Sequence, residues 1–405
     1  MKVAVLGYGT VGSGVVEVLL TNKESITKKA GTRLEVEYIL DLRDFNENPL
    51  KEKFVKDINV ILNDEEVDIV VEAMGGVNPA YEFVKGALEK GKSVVTSNKE
   101  LVAVYGPELL ETAKENSCNF LFEASVGGGI PIVRPLNTAL TADEIYEITG
   151  ILNGTTNFIL TKMKTEGRTF EDVLKEAQEL GYAEKNPEAD VEGHDACRKI
   201  AILASLALGE HVDYKDVMVQ GITKIKKEDM EYAGQMGYSI KLLASCKKQE
   251  ENVYLSVRPT MISGAHPLAM VNDVFNAVLV KGNMVGEVMF YGKGAGKLPT
   301  ASAVVADIID AAKHKNTNIM CFWSREKIEL QSNSEAKIRY FVRLKGEAVY
   351  CETLAKEIFG EIECLVPLTA SEYVFITPEE TLKEVEDKLS KLKDVEVISK
   401  ICIEK

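Results

Sequence analysis

Histidine is scarce in this chain, four among 405 residues, and the four lie far apart. That scarcity argues against a histidine-built zinc centre and against a Ser-His-Asp triad. The seven cysteines are odd in number, scattered and never spaced as CxxC, which excludes a disulfide framework and a zinc ribbon. A reducing, cytoplasmic setting is expected. Basic residues are in deficit: 48 Lys and Arg stand against 63 Asp and Glu, a formal charge of −15. Nucleic acid and anionic membrane surfaces are therefore poor partners, and small molecules are favoured. No apolar run reaches the roughly 18 residues that a membrane span needs. The opening MKVAVLGYGTVGSGVVEVLL is broken by glycines and by Glu17, so it reads as folded protein rather than a leader. Long repeats and low-complexity tracts are missing too. What remains, 45% hydrophobic and 27% charged residues, is an ordinary globular composition in a chain too long for one core. Two or three domains are expected.

The first 130 or so residues alternate short β-rich runs (KVAVLG, LEVEYILD, VDIVVEAMG, SVVTS, NFLFEA) with helical stretches, the pattern of a parallel α/β sheet. A further strand, IYEITGI, opens a region that is mainly helical to about residue 245 and then β-rich again near YLSVRPTMI. Helical periodicity returns in ASAVVADIIDAAK, and a linker is placed within residues 314–335. The last stretch reads βαββαβ, a small ferredoxin-like module. The expected architecture is thus α/β. A Rossmann-type dinucleotide-binding domain covers residues 1–135, completed by about 288–312. An α+β substrate and dimerisation domain covers 136–287, and the module covers 335–405.

The strand KVAVLG runs straight into Gly7-Tyr8-Gly9-Thr10-Val11-Gly12 and then a helix. In that context Gly7 permits a tight turn, Gly9 admits a pyrophosphate, and Gly12 lets the helix pack closely with its N-terminus toward the anion. Strand two ends in Asp41-Leu42-Arg43. Asp41 suits the ribose hydroxyl of NAD and Arg43 the 2′-phosphate of NADP, or the two simply pair with each other. Asn98 and Lys99 follow the strand SVVTS at the carboxyl edge of the sheet, where Lys99 faces substrate and nicotinamide or merely water. In FEASVGGGIP, Glu123 stands beside exposed loop carbonyls, a setting for a hard cation or for hydrogen bonds to loop amides. GILNGTTNFIL brings Gly154 and Thr155 to a helix start, to hold a carboxylate or to cap.

In GYAEKNPEADVEGHDACRK, Gly181 ends a helix and a loop follows. From about Glu192 a helix begins that is apolar nearly all round in its second half, so Asp195 and Lys199, four residues apart, share a face of a buried helix. A positioned proton carrier of this kind serves carbonyl reduction, and Glu184 with Asp190 supplies carboxylates for an ammonium group. Glu188 and Glu192 read as solvated charges, and His194 lies off the face of Asp195.

Taken together, VLGYGTVGSGV, SNKELVA, FEASVGGGIPI, GILNGTTNFIL, GYAEKNPEADVEGHDACRK and FYGKGAGKLPTASAVVADI resemble the homoserine dehydrogenase family over about residues 1–312. The resemblance implies NAD- or NADP-dependent interconversion of L-homoserine and L-aspartate 4-semialdehyde, in threonine, methionine and isoleucine biosynthesis. It implies Lys199 as the catalytic proton donor and acceptor, Asp195 as its companion, and Asp195, Glu184 and Asp190 on the substrate. Lys99 falls near the cofactor and the reacting carbon as a further catalytic residue, and Asn98, Gly75, Gly181 and Gly296 fall near the cofactor. A structural sodium ion is implied at Glu123 and the carbonyls of Val126, Gly128 and Ile130. Residues 335–405 resemble an ACT-type sensor for an amino acid such as threonine, although its first turn is Leu344-Lys345-Gly346-Glu347. No kinase-like region precedes the glycine loop, so the monofunctional form is expected, as a homodimer or homotetramer. The rival reading is a catalytically silent, cofactor-binding amino-acid sensor, against which Lys199 and Asp195 speak.

Overall fold

The strand Lys2–Leu6 (β1) is apolar and buried over nearly its whole length, as a strand covered on both faces must be. With β2 (Glu35–Leu40), β3 (Phe54–Val55), β4 (Val67–Glu72), β5 (Ser93–Thr96) and β6 (Phe120–Leu121) it forms a parallel sheet in the order β3-β2-β1-β4-β5-β6. That is the dinucleotide-binding order, with the strand sequence reversing at β1. Valine, isoleucine and leucine from its strands pack against helices Thr10–Thr21 and Lys297–Lys313 in one buried cluster. The two helices approach closely at Gly14, where a Cβ would stand 2.9 Å from the Lys297 carbonyl oxygen. This computed structural model describes residues 1–333 and 335–404. Ser334, within the expected linker, and Lys405, the last residue of the expected tail module, lie outside the described residues.

The remaining strands are β7 (Ile145–Ile151), β8 (Met218–Val219), β9 (Tyr238–Gln249), β10 (Asn252–Ser263), β11 (Phe275–Gly282), β12 (Gly286–Lys293), β13 (Lys337–Lys345), β14 (Glu363–Leu365), β15 (Glu372–Ile376), β16 (Glu380–Thr381) and β17 (Glu396–Glu404). By compactness the chain forms two units. One comprises Met1–Ile145, Arg198–Lys215 and Lys281–Ile328. The other comprises Tyr146–Cys197, Asp216–Val280 and the chain from Glu329 onward. The helix His194–Leu208 is shared by both.

In the second unit the strands run β11-β7-β9-β10-β17-β13-β15-β14. The tail segment keeps the predicted βαββαβ order apart from the added two-residue strand β16 ahead of its second helix, with helices Ala348–Phe359 and Leu382–Leu389 over their own apolar core. It does not stand apart as a third domain. Thr260, Met261 and Ile262 of β10 pair in parallel with Cys402, Ile403 and Glu404 of β17, because each strand is otherwise an open edge with unpaired amides. Nor is the expected linker loose throughout. Asn119 donates to the carbonyls of His314 (3.1 Å) and Thr317 (2.9 Å), and Trp323 seats against Gly106, so the segment before residue 329 is a strap on the first unit.

Candidate active site

In the first unit the glycine loop is built of main chain. Gly7 has φ +91°, and a Cβ there would lie 2.9 Å from the Ala73 carbonyl oxygen. At Gly12 a Cβ would come within 1.9 Å of the Gly7 carbonyl oxygen, so the helix Thr10–Thr21 can start this close to β1 only without a side chain. Gly9 is different: no atom lies within 4 Å of its Cβ position, and no side chain caps the helix there. An open cradle under uncapped helix amides fits a dinucleotide pyrophosphate. Thr10 and Val11 form the first turn of that helix.

At the tip of β2, Asp41 accepts the Tyr8 amide (2.8 Å) and is gripped by Arg43 through Nε (2.9 Å) and Nη2 (2.8 Å). The Arg43 guanidinium holds the Asp41 carboxyl well below the usual carboxylate range. Arg43 also lies over the Phe45 ring at 5.2 Å. Both residues thus stand at the tip of β2, paired with each other.

A network that sequence reading missed links the next two turns. Glu72, fully buried at the end of β4, accepts from the amides of Met74 (2.8 Å) and Gly75 (3.1 Å) and from the Thr96 hydroxyl (2.5 Å). Asn98 receives Leu101 as N-cap of helix Lys99–Glu115 and donates to the Gly76 carbonyl, which ties the Gly75–Gly76 turn to the residue before Lys99. Only a carboxylate at the end of an apolar strand, costly unless bonded, signals this in the sequence.

Glu123 is buried and its carboxylate is filled by loop amides: Ile132 (2.6 Å) and Val133 (2.8 Å) on one oxygen, Arg134 (2.8 Å) on the other. These bonds set the course of the loop that carries Val126, Gly128 and Ile130. Gly128, φ +58°, sits so close to Gly294 that a Cβ would meet its carbonyl oxygen at 2.2 Å. Gly296, φ +120°, precedes helix Lys297–Lys313.

In the second unit the organising residue is Asn153, which follows β7 and caps helix Gly154–Glu166 by accepting the Thr156 amide at 2.9 Å. Its amide nitrogen donates to Asp190 (2.7 Å) and to Asp195 (2.9 Å). One side chain thus gathers two of the predicted acids. The sequence places Asn153 at a helix start and is silent on these long-range bonds. Asp195 and Lys199, both buried, stand one turn apart on helix His194–Leu208. The helix begins at His194 rather than Glu192 because Gly193, φ +84°, breaks the chain between it and the short helix Glu188–Val191.

Thr155 spends its hydroxyl on the Tyr182 carbonyl (2.6 Å) and so pins the turn at Gly181, φ +75°. Gly154 faces the Val274 carbonyl, 2.9 Å from where a Cβ would be. Glu184 lies on the loop as expected, its side chain exposed. Glu192, read as a solvated charge, instead accepts from Thr223 at 2.9 Å. Beneath helix Gly154–Glu166, buried Lys241 donates to Asn157 (3.2 Å), Asn272 (3.1 Å) and the Val271 carbonyl. Burial pushes its pKa down to about 8.

An open glycine cradle after β1, and a helix that carries a buried lysine one turn from an aspartate, are features of a dehydrogenase acting on an amino acid. The homoserine dehydrogenase family model matches residues 131–309, and the model of that family's NAD-binding domain matches residues 7–123. The homoserine dehydrogenase of Bacillus subtilis is 40% identical, covering 99% of this chain and 96% of its own length. The chain belongs to the homoserine dehydrogenase family. The enzyme of Helicobacter pylori is 42% identical over 85% of this chain and 81% of its own. The crystal structure of a homoserine dehydrogenase from Thiobacillus denitrificans superposes with a TM-score of 0.91 at 36% identity, covering 100% of this chain and 98% of that one. A hyperthermophilic archaeal homoserine dehydrogenase in complex with NADPH covers 76% of this chain and 97% of its own, with a TM-score of 0.65 at 32% identity. Among the described residues no helix is long and apolar enough to cross a membrane.

Proposed function

We infer that the chain is an oxidoreductase that interconverts L-homoserine and L-aspartate 4-semialdehyde with NAD or NADP. The observation that carries the reading is Asn153 drawing together Asp190 and Asp195, of which Asp195 stands one turn before Lys199 on its helix. A bound nicotinamide supplies the hydride chemistry, and the chain's own residues do the rest. The amides beside Gly7, Gly9 and Gly12, with Thr10 and Val11, hold the pyrophosphate. Asp41 or Arg43 meets the adenosine ribose. Gly75, Asn98, Lys99, Gly181 and Gly296 border the nicotinamide end. Asp190, Asp195 and Glu184 meet the α-ammonium of the amino acid. Lys199 takes the hydroxyl proton as the alcohol becomes a carbonyl and returns it in the reverse direction, a contribution of about 100-fold to 10,000-fold for a positioned acid or base. Glu123 and the main-chain oxygens of Val126, Gly128 and Ile130 would hold a structural sodium ion. The tail module acts as an ACT-type sensor of an amino acid such as threonine.

The test is Lys199→Ala. Its kcat with L-homoserine falls by at least about 100-fold while titration shows cofactor binding retained. Near-normal turnover in that variant would refute the assignment.

A further inference from the structure

The tail module is anchored to the second unit by a buried polar joint. Asp229, fully buried in the first turn of helix Lys227–Gln235, accepts the Lys226 amide (2.8 Å) and the hydroxyl of Ser399 on β17 (2.9 Å) through one carboxylate oxygen. Its other oxygen faces Nε of Arg343 on β13 at 3.4 Å, an ion pair without a hydrogen bond. Arg343 is 2% exposed, its Nη1 standing 3.5 Å from Glu228. A second strut runs from Tyr232 on the same helix, whose hydroxyl donates to Glu372 (3.0 Å) and accepts the Leu368 amide (2.7 Å), both in the tail.

The helix these struts hold continues a segment that lies on the acid loop. The Ile222 amide donates to the Val191 carbonyl (2.8 Å), and Thr223 donates to Glu192 (2.9 Å). A Cβ on Gly221 would lie 2.5 Å from the Val191 carbonyl oxygen and 2.6 Å from Cα of Glu192, so the two backbones touch. Val191 and Glu192 follow Asp190 directly in the segment that leads to Asp195. A buried arginine, held to its aspartate by charge without the directional bond, makes a joint whose geometry the rest of the tail must fix.

We propose that Arg343 and Asp229 are positioning residues through which the tail sets affinity for the amino-acid substrate and leaves the nucleotide alone. This rests on the reading that Asp190 meets the substrate. The chain of contacts is tail strand, Asp229, residues 220–226, Val191 and Glu192, then Asp190; every member lies in the second unit.

Kinetics and amide exchange test it together in the full-length enzyme. Arg343→Met raises KM for L-homoserine about ten-fold, with kcat and cofactor KM within about two-fold, a shift typical of mutations on a coupling route. Arg343→Lys recovers part of the loss, and Ser399→Ala gives a smaller rise in the same direction. Amide exchange accelerates at residues 188–193 and 220–226 in Arg343→Met. Unchanged homoserine KM in folded Arg343→Met, or homoserine and cofactor KM rising in step with a falling Tm, overturns the proposal. If Arg343→Met does not fold, Ser399→Ala decides by the same split. If the wild type does not turn over homoserine, the functional reading fails; the exchange experiment still decides the coupling, and unaltered exchange at 188–193 refutes it.

Discussion

The glycine loop after β1 and the acid loop gathered by Asn153 after β7, to which the proposed function gives the two ends of one reaction, are made of opposite material. The first works by what is missing: Gly7 and Gly12 have no room for a Cβ, and Gly9 keeps its Cβ position open. The second works by one side chain, since both Asp190 and Asp195 lean on the Asn153 amide. A main-chain site fails when an atom is added, and a side-chain site fails when a hydrogen bond is removed. The two ends of one reaction should therefore break separately.

The largest effect is expected at Gly12→Ala. The added carbon must move the Gly7 carbonyl, 1.9 Å away, so overpacking of about 1–3 kcal/mol falls on the cofactor cradle. Titration should show NAD(P) affinity dropping at least ten-fold, while Gly9→Ala, with no atom within 4 Å, perturbs folding little. Next comes Asn153→Ala. Hydrogen bonds to charged groups contribute about 1.5–3 kcal/mol, so KM for L-homoserine should rise roughly 10-fold to 100-fold with cofactor KM unchanged. Equal changes in both constants would erase the contrast between the two ends.

An effect on stability rather than on catalysis sharpens the picture of the scaffold under Asn153. Lys241 has a folded pKa lowered from 10.5 to about 8. Below pH 8 both folded and unfolded chains carry its proton and the full burial cost applies, on the order of 3 kcal/mol. Between pH 8 and 10.5 the unfolded chain binds more protons, so stability is regained as pH rises. Urea unfolding of Lys241→Met should lack this part of the rise that the wild type shows from pH 7.5 to pH 10. The smallest effect is at Arg43→Ala. Its pair with Asp41 is largely exposed on the arginine side, so thermal unfolding should shift stability by less than about 1 kcal/mol.

What the sequence made legible follows from range. The glycine loop, the helix ending at Gly181 and the βαββαβ tail depend on neighbours in the chain, so turn chemistry and periodicity reveal them. The bonds of Asn153 span 37 and 42 residues, and Glu123 finds its amides nine to eleven residues on, where no local pattern reports them. Glu192 looked solvated because Thr223, its partner, is 31 residues away. The tail read as a separate domain because nothing in β17 announces that β10, far earlier, offers an unpaired edge. Family resemblance supplied roles that local chemistry left open, as for Lys99.

The most direct test of the account is to follow NADH and NADPH formation by the wild-type protein on adding L-homoserine. Homoserine-dependent reduction of at least one cofactor, abolished by Lys199→Ala, is the predicted result. Cofactor binding with no turnover of L-homoserine under either nucleotide would contradict it.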